Sequence, residues 1–228
     1  MSQLVKNMSV MIRWLGHSGF QIKTNEENIY IDIYRTKELQ ERVPDVSESG
    51  TIILSTHFHG DHCHPESIES VLDDDSIVIA PDNCGEKIKG NFQPISVGDE
   101  IEIRNVKIKA VQAYNTNKFR TPGNPYHPKG YGVGYIITID GKTIYHAGDT
   151  DHISEMADLG QIDVAMLPVG DTYTMNNTEA GEAALEIRPK MVVPMHTWDK
   201  GVEKFVEKVK ENPDIKIMVM SEDETFSL

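Results

Sequence analysis

The chain has 228 residues, enough for one large domain or two small ones. Lys and Arg number 22 and Asp and Glu 36, a formal charge of −14 with His neutral, so no basic field exists to collect the phosphates of a long nucleic acid. Two cysteines, Cys63 and Cys84, give no disulfide framework. No run approaches a membrane span, and the first residues hold no long apolar h-region, so a cytoplasmic protein, neither exported nor anchored, is expected.

In chain order, residues 9–14 and 19–23 read as short strands around a Gly-His-Ser-Gly turn, and 28–34 alternate as a third strand. Residues 35–50 are polar and irregular. The apolar run 51–55 has buried-strand character and leads directly into Thr56-His57-Phe58-His59-Gly60-Asp61-His62. Pro65 opens a short helix that stops at the acidic turn Asp73–Asp75. Residues 76–80 are the next strand, and 81–90 read as a short helix ended by Gly90. Two strands, 100–104 and 106–114, join at Asn105. Residues 115–130 follow without regular pattern, rich in proline and glycine, as a shaped loop of the kind that often serves function. A hairpin turning at Asp140-Gly141, a strand at 162–170, a helix at 178–187 and a strand at 190–196 come next. Val202, Phe205, Val206 and Val209 share one face of a helix over 198–210, and the strand 215–220 closes the chain. No linker, charge block or internal period divides this order, so a single domain over 1–228, two packed sheets with outer helices, accounts for it.

Three imidazoles and a carboxylate fall within the six residues His57–His62, immediately after a strand. Imidazole with carboxylate favours divalent zinc, manganese or iron. In an extended segment His57 and His59 point the same way, and Gly60 lets the chain turn so that Asp61 and His62 face a second ion. Asp149 and His196 lie at the ends of other strands, where rigid elements would hold them. A carboxylate such as Asp149 has two oxygens with which to bridge two ions.

The pattern His57-x-His59-x-Asp61-His62, then Gly148-Asp149-Thr150, then His196 resembles the metallo-β-lactamase superfamily. The opening Trp14-Leu15-Gly16-His17-Ser18-Gly19-Phe20 is similar to its ascorbate-6-phosphate-lactonase-like branch, with N-acyl-phosphatidylethanolamine phospholipase D a more distant relative. The likeness extends over about residues 9–220 and is strongest to bacterial and archaeal proteins grouped as metal-dependent hydrolases. It implies an α/β fold, the αββα four-layer sandwich, with metals at one edge. It also implies His57 and His59 on one ion, Asp61, His62 and His196 on the other, and Asp149 between them. The superfamily usually takes a third histidine for the first ion from the strand end before the bridging aspartate. Here that segment reads Val111-Gln112-Ala113-Tyr114-Asn115, and the nearest replacement is His127 in the shaped loop, as a metal ligand or else as a substrate contact.

The expected cofactor is therefore two divalent metal ions, zinc first, with manganese or iron as alternatives. The expected activity is hydrolysis of a small ester, lactone, amide or phosphoester by a metal-activated hydroxide, with Asp61 and His17 as the catalytic residues. His17 is a proton donor or substrate contact, or else holds its own turn. A phosphodiesterase or RNA-processing nuclease and a metal-binding protein without turnover are the competing readings. The partner is a small molecule, with nucleic acid and membrane disfavoured and oligomeric state not indicated. His146 is placed to orient a ligand. His64 and His152 stand outside the ligand set, Cys63 packs in preference to serving as a thiolate ligand, and Tyr173 either rims a pocket and binds a polar substrate group or belongs to a structural loop. Lys118, Arg120 and Lys129 suit either an anionic substrate group or ordinary solvation.

Overall fold

The computed structural model describes residues 9–43, 46–198 and 200–228. Readings that touch the first eight residues, 44–45 or Asp199 lie outside it. The first half holds β1 (Met11–Gly16), β2 (Gly19–Lys23), β3 (Asn28–Ile31), α1 (Lys37–Arg42), β4 (Ile52–Leu54), α2 (Pro65–Glu69), β5 (Ile77–Ala80) and β6 (Phe92–Pro94). The second half holds β7 (Glu100–Ile103), β8 (Val106–Ala113), β9 (Phe119–Thr121), β10 (Asn124–Pro125), β11 (Gly132–Ile139), β12 (Lys142–His146), β13 (Val164–Pro168), α3 (Asn177–Ile187), β14 (Met191–Met195), α4 (Glu203–Val209), β15 (Lys216–Ile217) and β16 (Thr225–Ser227).

The strands form two seven-stranded sheets, ordered β16-β1-β2-β3-β4-β5-β6 and β15-β14-β13-β12-β11-β8-β7. Each begins as an antiparallel meander and continues in parallel, from β3 to β6 in the first sheet and from β12 to β15 in the second. Parallel strands are covered on both faces, which is why their sequences are continuous apolar runs. Along β4, Ile52 and Leu54 enter the core between the sheets while Ile53 packs outward; along β13, Val164 and Met166 go inward, Ala165 and Leu167 outward. Ile53 shares one outer cluster with Ile68 and Val71 of the α2 region, and Leu167 shares the other with Ala180 and Ala184 of α3 and Phe205 and Val209 of α4. Two mixed sheets flanked by helices make the four-layer sandwich of the metallo-β-lactamase fold.

Several elements differ from the sequence reading. Within 35–50 the chain forms α1, capped by Thr36 accepting from Leu39 N–H; only Leu39 is buried on so short a helix, too little to show a period. Residues 82–87 form a 3-10 helix, and β6 and a second 3-10 helix, Ser154–Asp158, were not anticipated. The loop 115–130 contains the two-stranded ribbon β9–β10. The 215–220 strand pairs only at Lys216–Ile217, and β16 closes the chain by pairing with β1 in the other sheet. The third strand stops at Ile31 because Asp32 turns to a left-handed φ of +45°.

At one edge of the sandwich the two sheets are stitched by backbone hydrogen bonds, Val133 N–H to Thr56 O at 2.8 Å and His196 N–H to His17 O at 3.0 Å. Tyr135 Oη–H donates across the same seam to Ser55 O at 2.9 Å. The C-terminal ends of β3, β4, β12 and β14 arrive here and deliver Asp32, His57, Asp149 and His196.

Candidate metal centre

Two turns set the geometry. After β4 the chain folds back on itself, with His62 N–H and Cys63 N–H both donating to His59 O at 3.1 and 2.8 Å. The segment is therefore bent rather than extended, and convergence is reached by using different ring atoms. His57 offers Nε2 and His59 offers Nδ1, 3.1 Å apart. After β12, Gly148 adopts φ +64°, and a Cβ there would lie 2.9 Å from Val133 O, so only glycine lets the turn carrying Asp149 sit this close to the seam. His17, Asp32 and His196 are all non-glycine residues at positive φ (+53°, +45° and +55°), so backbone strain is concentrated at this edge.

The donor atoms meet in two adjoining clusters. His57, His59 and His127 form one, with His127 Nε2 also 3.1 Å from His59 Nδ1. Asp61, His62 and His196 form the other, together with His17, whose Nε2 is 3.1 Å from Asp61 Oδ2. Asp149 lies between them. Its Oδ2 is 3.4 Å from His127 Nε2, 3.3 Å from His196 Nε2 and 4.0 Å from His57 Nε2, and its Oδ1 is 3.4 Å from His62 Nε2. All seven residues named as ligands in the sequence thus lie around one point, His127 among them. His17 also lies there, its ring tilted by 41° against the His196 ring with centroids 4.1 Å apart.

Hydrogen bonds behind the rings fix which nitrogen faces inward. Thr56 Oγ1 donates its hydroxyl proton to Asp32 Oδ2 at 2.7 Å and therefore itself accepts from His57 Nδ1–H at 3.0 Å. Asp32 Oδ2 also accepts from His62 Nδ1–H at 2.7 Å, and Asp32 Oδ1 accepts the Thr56 N–H. Asn115 donates its amide protons to Asp151 and to Tyr173 O, which leaves Asn115 Oδ1 to accept from His127 Nδ1–H at 2.9 Å. His146 donates Nε2–H to Ser18 O at 2.9 Å and accepts Gly148 N–H on Nδ1 at 3.2 Å. It steadies the turns of both His17 and Asp149 without joining either cluster. His64 caps α2, and His152 pairs with Glu186. Both cysteines are free and buried.

Asp32, Asn115 and Asp151 escaped the sequence reading. The visible signal for Asp32 was a carboxylate immediately after the buried strand β3. For Asn115 and Asp151 nothing local marks the role, because it depends on the loop's return to β8.

Electrostatics separates the clusters. Burial pushes His57 well below its ordinary range and His127 down to about 4, so these rings are neutral at pH 7. His17 is likewise lowered to about 4 by burial, against the pull of Asp61. His62 is the reverse: burial opposes its charge, but Asp149, Asp32 and Asp61 together raise it to about 10. Burial also opposes ionisation of Asp149, yet the surrounding histidines keep it well below the usual carboxylate range. His62 Nε2, Asp149 Oδ1 and both His196 ring nitrogens are buried without a hydrogen-bond partner. Leaving such groups unpaired costs about 1–3 kcal/mol each. Cations among them would take the place of the His62 proton and satisfy His62 Nε2, Asp149 Oδ1 and His196 Nε2, so the residues present fit metal ions.

Beside His17 opens a cavity of about 490 Å³ lined by Trp14, Tyr34, Thr36, Arg42 and Trp198 among others. Trp198, half exposed and at φ +50°, stands 4.9 Å from the His17 ring. Tyr173, also exposed, stands with its ring 4.8 Å from that of Tyr126 and 6.3 Å from that of Trp198, next to the cavity lining. No helix among the described residues is long and apolar enough to cross a membrane.

Comparison with known proteins agrees with this geometry. The β-lactamase superfamily domain matches residues 11–196. A UPF0173 metal-dependent hydrolase of Lysinibacillus sphaericus is 35% identical over 191 residues, covering 81% of this chain and 84% of that protein. The crystal structure of a Parabacteroides distasonis protein superposes with a TM-score of 0.82 at 34% identity, over 93% of each chain. Igni18, a metallo hydrolase of the archaeon Ignicoccus hospitalis, gives a TM-score of 0.76 at 26% identity over 96% of this chain and 98% of that one. With its donor clusters at the edge where both sheets meet, and with relatives at this level of identity, the chain belongs to the metallo-β-lactamase superfamily as a UPF0173-like metal-dependent hydrolase.

Proposed function

We propose that the protein hydrolyses a small ester, lactone, amide or phosphoester at a centre of two divalent ions, zinc foremost. His57, His59 and His127 hold one ion, Asp61, His62 and His196 the other, and Asp149 bridges them. The observation that carries this reading is the convergence of six side chains on one buried carboxylate, with inward-facing nitrogens fixed by partners behind them. When bound, two such ions acidify a water and polarise a scissile carbonyl or phosphoryl group.

The chain's own residues supply the rest. Asp61 remains ionised, held low by the His17 hydrogen bond and by His62 although burial opposes it, so its carboxylate can orient the attacking water as an acceptor. His17 is neutral at pH 7 and linked to Asp61 through Nε2, which places an imidazole beside the reacting atoms to receive or return a proton. The cavity beside His17 is large enough for a small substrate. Lactones enter the substrate set through the resemblance of the Trp14–Phe20 segment.

The test is a hydrolysis screen over lactones, phosphodiesters, thioesters and amides, with chelated protein and with zinc, manganese or iron restored. Activity that vanishes on chelation and returns with metal is expected, with Asp61→Ala costing more than His17→Ala. Turnover that survives complete chelation, or equal small losses in the two variants, would refute the assignment.

A further inference from the structure

The three cations of the loop between β8 and β11 have different surroundings. Lys118 Nζ lies 3.1 Å from Glu179 and 3.6 Å from Asp171, and Lys129 Nζ lies 2.7 Å from Glu155, so both are neutralised within the protein. Arg120, on β9, has no carboxylate partner among the described residues. Its Nη2 stands 3.4 Å from His59 Nε2, and its guanidinium carbon lies 5.1 Å from the centre of the Tyr126 ring.

That pairing is chemically incomplete. His57 and His127 turn lone pairs inward on Nε2, because Thr56 and Asn115 accept their Nδ1 protons. His59 presents Nδ1 to the same point, 3.1 Å from each. An imidazole that gives its Nδ1 lone pair to a cation keeps its proton on Nε2, and here Nε2–H faces a guanidinium that has only donors. Two donors at this distance call for a shared acceptor.

We infer that Arg120 and His59 Nε2–H together bind an oxyanion of the substrate, a phosphate or a carboxylate, at the outer side of the His57–His59–His127 cluster. The inference rests on the dinuclear reading and adds to it the charge class of the substrate. The residue is held in advance of binding. Asp151 accepts from Thr116 N–H at 2.6 Å and Asn117 N–H at 2.8 Å, β9 pairs with β10, and Tyr126 beneath the guanidinium packs edge-on against Tyr173 at 4.8 Å. Such ordering lowers the entropic cost of clamping an anion. In a chain of net charge −14, one unneutralised guanidinium beside His59 also gives a local point of attraction for an anion.

The experiment measures binding of inorganic phosphate, acetate and neutral acetamide to metal-loaded wild type, Arg120→Ala and Arg120→Lys, with metal content determined on the same samples. Arg120→Ala should weaken phosphate or acetate about tenfold or more, Arg120→Lys less, and acetamide less than about twofold, since charge-assisted pairing is lost only for the anions. Comparing the two anions tells a phosphate site from a carboxylate site. Unchanged affinity for both anions in Arg120→Ala at full metal content overturns the inference and leaves the dinuclear reading standing. Arg120-dependent anion binding by protein that takes up no metal overturns the dinuclear reading and leaves the anion site standing.

Discussion

His57, His59 and His127 meet as imidazoles whose charge is suppressed by burial, while Asp61, His62 and His196 meet around a histidine kept protonated by three carboxylates. The two clusters adjoin and share Asp149, yet they hold charge in opposite ways. The all-imidazole cluster presents lone pairs ready for a cation. The carboxylate-bearing cluster already contains a cation, the His62 proton, which a metal ion must displace. Neighbouring ligand sets can thus have different proton costs even when their geometry is alike, and the origin lies behind the rings. Asp32 is ionic support for His62, whereas Asn115 and Thr56 are neutral support for His127 and His57.

The most disruptive change is at the shared carboxylate. Asp149→Ala should remove both ions and lower any hydrolytic rate by roughly a thousandfold or more, the several kcal/mol that metal-ion catalysis supplies. Elemental analysis showing two ions retained would break the view that Asp149 joins the clusters. Next, His127→Ala should weaken one ion by roughly a hundredfold or more, since loss of a supporting partner alone costs about 10–100-fold. The Asp61–His62–His196 cluster should stay loaded. Retention of both ions with a defect confined to substrate binding would make His127 a substrate contact instead. Asp32→Asn keeps the shape but removes the charge behind His62. It should weaken the carboxylate-bearing cluster by about 10–100-fold and leave the other nearly unchanged, as read by metal competition. Equal effects on both would erase the asymmetry.

The smallest effect is proton linkage. His62 has its folded value raised from the ordinary 6.5 to about 10, so in metal-free protein it contributes stability that is fully present below 6.5 and is lost as pH rises through about 10. Metal competes with that proton, so affinity at this cluster should increase about tenfold per unit of pH up to that value. Calorimetry at about pH 6, in buffers of different protonation heat, should then show close to one proton released for two zinc ions, since water bound to zinc titrates only near 7. Release of none, or of three or more, would contradict the charge states described.

Much of this comparison was legible in the sequence, for reasons specific to the elements. Buried parallel strands such as β4, β13 and β14 must be apolar on both faces, so their ends, and the polar residues just beyond, stand out. That contrast exposed His57, His59, Asp61, His62 and His196, and Asp149 stood just past β12. His127 was reached from a gap, the missing histidine near Ala113, because a loop carries no period. What stayed hidden depends on distance in sequence. Asp32 lies 30 residues from His62, and its role requires the β3–β4 pairing to be known. Asn115 and His127 face each other only because the ribbon β9–β10 folds back, and nothing in a Pro- and Gly-rich stretch encodes that pairing visibly. α1 and β16 were missed because one buried leucine, and a strand of two exposed residues around a half-buried Phe226, give too little pattern.

The central claim, two ions with His127 completing the first set, is tested most directly by anomalous diffraction from crystals of zinc-loaded, substrate-free protein. Two peaks are predicted on either side of Asp149. One should lie about 2.0–2.3 Å from His57 Nε2, His59 Nδ1 and His127 Nε2, and the other at similar distances from His62, His196 and Asp61. A single peak, or a first peak with His127 Nε2 more than about 3.5 Å away, beyond any zinc–nitrogen bond, would contradict it.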